Sequence, residues 1–513
     1  MRTLNILRNS AYSLISFACV ALLGIFVRKF FTQYLPVELL GIEGLFSNII
    51  AMLSLAELGV SAIISYNLYR EIAKDNKKEI NILMSLYRYV YTIIGSFIVC
   101  IGVVLFFFLP IIVKNASVSW HYVQLVYVIQ IATVLSTYFL AYKRTLFAAN
   151  QKDYICIKID MGCKILNGCV QIAAIVCFKN YLLYAFSALF FNILANIIIT
   201  WKAKKTYPYL ESVKVSLTDF RERNFFMETK NFMIHKISYL FYGGLDMVIV
   251  TSFLGLKEAG LLSNYVLVHM GIYAVLYKCF QGIIPSLGNL VYSEDKDRSI
   301  SVYNMLDLAY YFFGSYVCCV YTIVFQPFIG LFFGKQFLLP DEYIVLLGIS
   351  VFLGMQFENA CNYRSTHGNF ENDRLYMLLS AISKLIVAVV FAKYWGIQGI
   401  VLGTIVGLGF IIYGRIQFVF RIILQISMRK YLRKHLLFSL LTGIEIVGIK
   451  YLFAWLDFEI TYANLLVECV LIGIIMIVIQ SVLFYKTKEF QELLRYASEI
   501  VNILKSKLKQ RLD

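Results

Sequence analysis

The chain has 513 residues, of which 60% are hydrophobic and 16% aromatic, with only 6 Pro. So little polar material cannot cover a water-soluble core, which excludes a soluble enzyme. The formal charge of +16 would suit nucleic acid in a soluble domain, but the Lys and Arg residues sit between long apolar runs, so the charge needs no such partner.

Hydrocarbon leaves no partner for a free N–H or C=O, so each long apolar run must close its hydrogen bonds as a helix. The alternation of a membrane barrel is absent. Read in chain order, spans are predicted at 10–31, 40–69, 87–113, 120–141, 156–178, 181–201, 231–254, 260–285, 302–326, 342–361, 376–394, 397–420, 435–455 and 462–485. The chain is therefore expected to be an all-α polytopic membrane protein with about fourteen transmembrane helices. The Lys179-Asn180 link is short enough to hide a miscount. The first stretch is read as a retained helix, because Arg28 and Lys29 follow it without a small-residue cleavage site.

Basic residues alternate from loop to loop. One set carries Arg70, Lys74, Lys77 and Lys78, then Lys143, Arg144 and Lys152, then Lys202, Lys204, Lys205, Arg221 and Arg223, then Arg429, Lys430, Arg433 and Lys434. The other set shows little beyond Arg28-Lys29, Lys114, Lys179, Lys257, Lys335 and Lys393. Basic loops stay on the cytoplasmic side, so both termini are expected there, in a cytoplasmic membrane. Residues 486–513 place Phe490, Leu493, Leu494, Ile500, Leu504 and Leu508 at helical spacing among lysines, the pattern of an amphipathic helix on the inner leaflet or of a solvated tail. Most of the 11 Cys lie inside apolar runs, among them Cys19, Cys100, Cys169, Cys318, Cys319 and Cys469, and read as buried small hydrophobes.

Sliding the chain on itself reveals a repeat. Tyr34-Leu35 and Gly41 fall on Phe253-Leu254 and Gly260 at an offset of 219, and Arg144, Asp153 and Lys164 fall on Arg364, Asp373 and Lys384 at an offset of 220. Six helices separate the members of each pair, so two lobes of like orientation are expected. The predicted division is 1–230 for helices 1–6, 231–425 for helices 7–12, 426–485 for two further helices, and the tail at 486–513.

Ionisable groups within spans are costly and therefore informative. Glu57, Lys164, Asp246, Lys278, Glu358, Lys384, Glu445 and Glu468 are such groups. Lys164 and Lys384 lie roughly 12 Å into their helices. At matched depth across the lobes they would hold a phosphate-bearing head group, or each would pair inside its own lobe, with Asp246 a candidate partner for Lys384. Asp246 has the placement a proton or Na⁺ coupling site requires, or that of a static ion pair, and Glu57 could serve likewise in the first lobe. Arg28 either reaches lipid phosphates at the outer end of its helix or lines the exit of a cationic path. Glu358, Glu445 and Glu468 are too near the predicted helix ends to assign. No Walker lysine motif, HExxH or GxSxG is present, so ATP hydrolysis in this chain is not expected.

Arg28-Lys29-Phe30-Phe31 through Tyr34-Leu35, Glu38, Leu40-Gly41 and Gly44-Leu45-Phe46, then Ala56-Glu57-Leu58-Gly59 and Ala62-Ile63, resemble the N-terminal signature of Wzx-type polysaccharide repeat-unit flippases. Arg144-Thr145-Leu146-Phe147 with Asn150, Gln151 and Asp153 is similar to the next marked segment of that family. The resemblance implies membership of the multidrug, oligosaccharidyl-lipid and polysaccharide (MOP) exporter superfamily, with two six-helix bundles working by alternating access. It implies a polyprenyl-diphosphate-linked oligosaccharide as substrate, for capsule, O-antigen or exopolysaccharide, with polymerase machinery as a partner downstream. Helices 13 and 14 would be similar to a groove for the lipid tail. Lys164 and Lys384 would hold the diphosphate and sugars, with Lys278, nearer the cytoplasmic end, and Arg28, near the outer end of its helix, as further candidates, and no cofactor beyond Na⁺ or H⁺ is implied. The rivals are a multidrug exporter of the same superfamily, a peptidoglycan-precursor flippase, and a glycan polymerase or ligase, which would need a large outer loop.

Overall fold

Each apolar run has satisfied its backbone in the way hydrocarbon demands: among the described residues of the computed structural model there are helices and turns but no strand. The structure describes residues 2–53, 60–113, 119–215, 238, 242–281, 296–367 and 374–498. Twelve described helices are long and apolar enough to cross a membrane, and each falls on one of the predicted spans. The difference from about fourteen lies in two places. The second predicted span is described as α2 (Val37–Leu53) and α3 (Val60–Ala73), with 54–59 outside the described residues, and the seventh is described chiefly as α9 (Asp246–Phe253). The chain is a multi-pass membrane protein.

The molecule divides into two compact units, Met1–Gly271 and Ile272–Asp513. The first holds α1 (Arg2–Tyr34), α2, α3, α4 (Lys77–Ile112), α5 (Trp120–Leu140), α6 (Arg144–Ala149), α7 (Tyr154–Val176), α8 (Tyr181–Thr206), α9 and most of α10 (Leu256–Gln281). The Lys179-Asn180 link does separate two helices: Lys179 turns the chain at φ 47°, and the Asn180 side chain caps α8 by accepting from Leu182 N at 2.9 Å and Leu183 N at 3.3 Å. At the α1 end, Asn9 pins α1 to the start of α7, donating to the Gln151 carbonyl at 3.1 Å and accepting from Tyr154 N at 2.8 Å. Arg144 grips Asp160 of α7 with both guanidinium nitrogens and donates to Asn196 of α8, so a basic loop anchors two spans. Beside it, burial, with Lys204 and Arg88 nearby, pushes the Lys143 ammonium below its usual range.

The second unit holds α11 (Lys296–Val320), α12 (Gln326–Phe332), α13 (Asp341–His367), α14 (Arg374–Trp395), α15 (Ile397–Phe418), α16 (Met428–Leu456) and α17 (Tyr462–Phe484). A π-helical turn, Tyr321–Phe325, joins α11 to α12 just before Pro327, whose missing N–H and ring break the regular ladder. Gly399 and Gly403, one turn apart on α15, let α14 approach backbone to backbone, with Gly403 against the Lys384 carbonyl. In the tail, a helix over 488–498 docks on α11: Phe490 is buried beside Phe312, and the Ser301 hydroxyl donates to Glu492 at 2.6 Å. The apolar spacing predicted there thus covers protein over these residues, while 499–513 lie outside the described residues.

Within the first unit, α2 and α10 touch through the sequence repeat itself. A Cβ on Gly41 would collide with the Leu256 carbonyl oxygen, and one on Gly260 with the Val37 carbonyl oxygen. Val37 and Leu256 are 219 apart, as are Gly41 and Gly260, so repeat-related residues meet reciprocally as around a local two-fold. Neither backbone can move without opening the crossing. Gly41→Ala or Gly260→Ala is expected to cost about 1–3 kcal/mol by overpacking, whereas Gly443→Ala, where nothing lies within 4 Å, should be neutral or stabilising. Thermal unfolding of the detergent-solubilised proteins checks this.

Candidate functional site

On α1, Val20, Leu23, Gly24, Val27 and Arg28 recur at the three- and four-residue spacing of one helix face, and on α7 so do Lys164, Asn167, Gly168 and Gln171. Gly168 lets the two helices close on each other, since a Cβ there would lie 2.5 Å from Leu23 Cδ2. These two faces, with Glu43 of α2, Tyr184 of α8 and Leu267 of α10, enclose a cavity of about 240 Å³. That is many times the space one water needs. Two cations, one anion, two amides and a phenol line a pocket walled otherwise by Val and Leu.

Arg28 is the centre of its polar network. Its Nη1 lies 3.4 Å from Glu43 Oε2 and donates to Ser263 Oγ at 3.4 Å. The Ser263 hydroxyl donates onward to the Gly260 carbonyl at 2.8 Å, which leaves its lone pairs for the guanidinium. The Tyr184 hydroxyl donates to Glu43 Oε1 at 3.0 Å. Tyr184 is held in turn by Tyr181, stacked at 5.4 Å, and by the edge of Phe31. Only 13% of the Arg28 side chain and 18% of the Glu43 side chain are exposed, so each supplies the counter-charge that makes the other's burial tolerable. Asn167 accepts from Ser187 at 2.9 Å, which fixes the amide of the α7 face. Lys164 makes no ion pair among the described residues, and its ammonium is the less committed of the two cations.

The predicted residues thus have different settings. Arg28 and Lys164 share the cavity. Lys164 is also deeper than the sequence suggested, because α7 begins at Tyr154, roughly 15 Å away along the helix axis. Asp246 opens α9, just after a bend at Gly244 and Leu245, and is half-buried. Lys384 lies on α14 in the second unit and is 3% exposed. Glu57 and the side chain of Lys278 lie outside the described residues.

Three acids in the spans, Glu43, Asp160 and Asp307, were not singled out from the sequence. Glu43 and Asp160 sat inside predicted spans, and each now proves to be the carboxylate facing an arginine. Asp307, fully buried on α11, lies 3.1 Å from His435 Nε2 and 3.0 Å from Lys434 Nζ at the start of α16. Glu445 lies mid-helix on α16 and is buried. There Gln480 of α17 donates to it at 3.2 Å and to Ser315 of α11 at 2.7 Å. This second network ties the last two spans to α11.

Residues 6–291 match the family model described as polysaccharide biosynthesis protein. The chain belongs to that family. All the cavity residues of the chain lie within the matched stretch. Among solved structures, the lipid II flippase MurJ in an inward closed conformation superposes with a TM-score of 0.70 at 14% identity, covering 94% of this chain and 99% of that one. An inward-facing multidrug resistance MATE family transporter of the MOP superfamily superposes with a TM-score of 0.52 at 14% identity, over 80% of this chain and 98% of that one. The chain therefore has the fold shared by this flippase and this transporter, the fold its sequence resemblance implied. A search of curated proteins found no sequence match.

Removing one member of the Arg28–Glu43 pair strands the other in a low-dielectric wall. Arg28→Ala and Glu43→Ala are each expected to lower the unfolding midpoint, and the double variant to recover part of the loss, with a coupling of about 0.5–3 kcal/mol. A double-mutant cycle by thermal unfolding in detergent gives the coupling directly.

Proposed function

We propose that this protein carries polyprenyl-diphosphate-linked oligosaccharide repeat units from the inner to the outer leaflet of a bacterial cytoplasmic membrane by alternating access, for surface polysaccharide synthesis. The observation that carries the reading is the cavity in which Arg28 and Lys164 converge with a single carboxylate, Glu43, among the described lining residues. A guanidinium and an ammonium match a diphosphate, the group common to the polyprenyl-diphosphate-linked sugars proposed here as cargo. An exporter of organic cations would need an acidic or apolar wall instead. Family membership supports a polysaccharide pathway, and the fold shared with a lipid II flippase supports a lipid-linked substrate.

In this reading the amides of Asn167 and Gln171 and the phenol of Tyr184 offer hydrogen bonds to phosphate or sugar oxygens, while the prenyl tail stays in hydrocarbon along α16 and α17. Lys384 and Lys278 would meet the same cargo at other points of its path. Asp246 and Glu57 are the proposed sites for a coupling H⁺ or Na⁺. The basic loops put both termini in the cytoplasm. A polymerase acting on the outer leaflet would take the product.

Proteoliposomes test the proposal. A prenyl-diphosphate oligosaccharide should change leaflets under an ion gradient while a soluble cationic dye stays inside, and Lys164→Ala with Lys384→Ala should abolish the movement at matched protein level. Dye transport without movement of the lipid-linked sugar would make the protein a drug exporter.

A further inference from the structure

We propose that Glu43 is an internal stand-in for the substrate's phosphate: it occupies Arg28 while the carrier is empty, and it takes up a proton when a diphosphate displaces it. This inference rests on the lipid-linked diphosphate as cargo.

Among the described residues Arg28 has one anionic partner, Glu43 Oε2, on the wall of the cavity the cargo would enter. A phosphate oxygen that takes Nη1 competes with Glu43 for that nitrogen. Once displaced, an ionised Glu43 would be a buried carboxylate beside an incoming anion, held only by the Tyr184 hydroxyl. Protonation removes that conflict. The reaction balances simply: Glu43 carboxylate gains one proton from solvent as the Arg28 ion pair opens, and it returns the proton when the phosphate leaves and the pair closes.

The titratable groups around Glu43 leave it as the one suited to this task. Arg28 of α1 and Lys164 of α7 are the basic side chains of the cavity, and Tyr181 and Tyr184 of α8 and Tyr127 of α5 are the phenols on the elements around it. Asp246 is the acid of α9, which packs on α2, and α10 contributes Ser263 and carries His269 further along. Asp246 and His269 both have interactions of their own. Glu43 is the carboxylate that meets the arginine.

The pairing also bears on the return step. An empty carrier that reoriented with a bare guanidinium would carry an uncompensated charge through the bundle, whereas the Glu43–Arg28 pair makes that network neutral. Glu43 is thus a positioning and specificity-determining residue: an anion that cannot outcompete an internal carboxylate does not hold the site.

Binding to the purified full chain tests this. The probe is a short prenyl-diphosphate monosaccharide, whose two phosphates are both esterified and do not titrate near neutrality. Wild-type affinity should rise as pH falls, because binding that takes up a proton is favoured by acid. Glu43→Gln, which keeps an acceptor for Tyr184, should bind with a flat pH profile and about tenfold more tightly than wild type at the alkaline end. Wild type should also take up protons from weakly buffered solution as the probe binds, a readout that needs no variant. An unchanged pH profile in Glu43→Gln, or probe binding by wild type without proton uptake, overturns the inference and leaves the proposed cargo standing. Failure of wild type to bind the probe at any pH overturns both.

Discussion

A charge in hydrocarbon must find a partner or water, and the rest of this structure is arranged around that constraint. The backbone meets it by becoming helical everywhere the bilayer is crossed. Side chains meet it pairwise: Arg144 with Asp160, Arg28 with Glu43, Asp307 with Lys434 and His435. Each pair joins different segments of the chain, so the electrostatic requirement also fixes which spans neighbour which. Helix packing then follows small residues, as where Gly41 and Gly260 bring α2 and α10 to backbone contact.

Function enters where the pairing is incomplete. The cavity between α1 and α7 has two cations and one carboxylate, and that surplus of positive charge gives it a preference for an anion. The proposed cargo, an anion with an apolar tail, rests on that surplus. The second unit shows the opposite case. Asp307 is matched by two basic neighbours, and Glu445 by the Gln480 amide, and these fully engaged groups bind α16 and α17 to α11.

Much of the fold was legible in the sequence because bilayer crossing leaves a coarse signal. Runs of about 20 apolar residues marked the spans, and the offset that placed Gly41 over Gly260 reappeared as their reciprocal contact. The site was legible in part. Lys164 and Arg28 stood out as cations in apolar company, but nothing in one-dimensional spacing placed them in the same cavity, since that depends on α1 lying along α7. Glu43 was passed over for Glu57, although both lie in one predicted span, because an acid shows its importance only when its arginine is found across space. Helix ends were the other loss. Sequence placed the thirteenth span at 435–455, while α16 runs from Met428, so Lys434, the partner of Asp307, stood outside the predicted span.

The central claim is that a lipid-linked diphosphate engages the cavity between α1 and α7. The most direct measurement is photocrosslinking in proteoliposomes with a prenyl-diphosphate sugar that carries a diazirine next to the diphosphate, followed by peptide mapping. Label on residues 20–28 and 164–171, competed away by unlabelled compound, is the predicted result. Competed label confined to other segments, with none on α1 or α7, would contradict it.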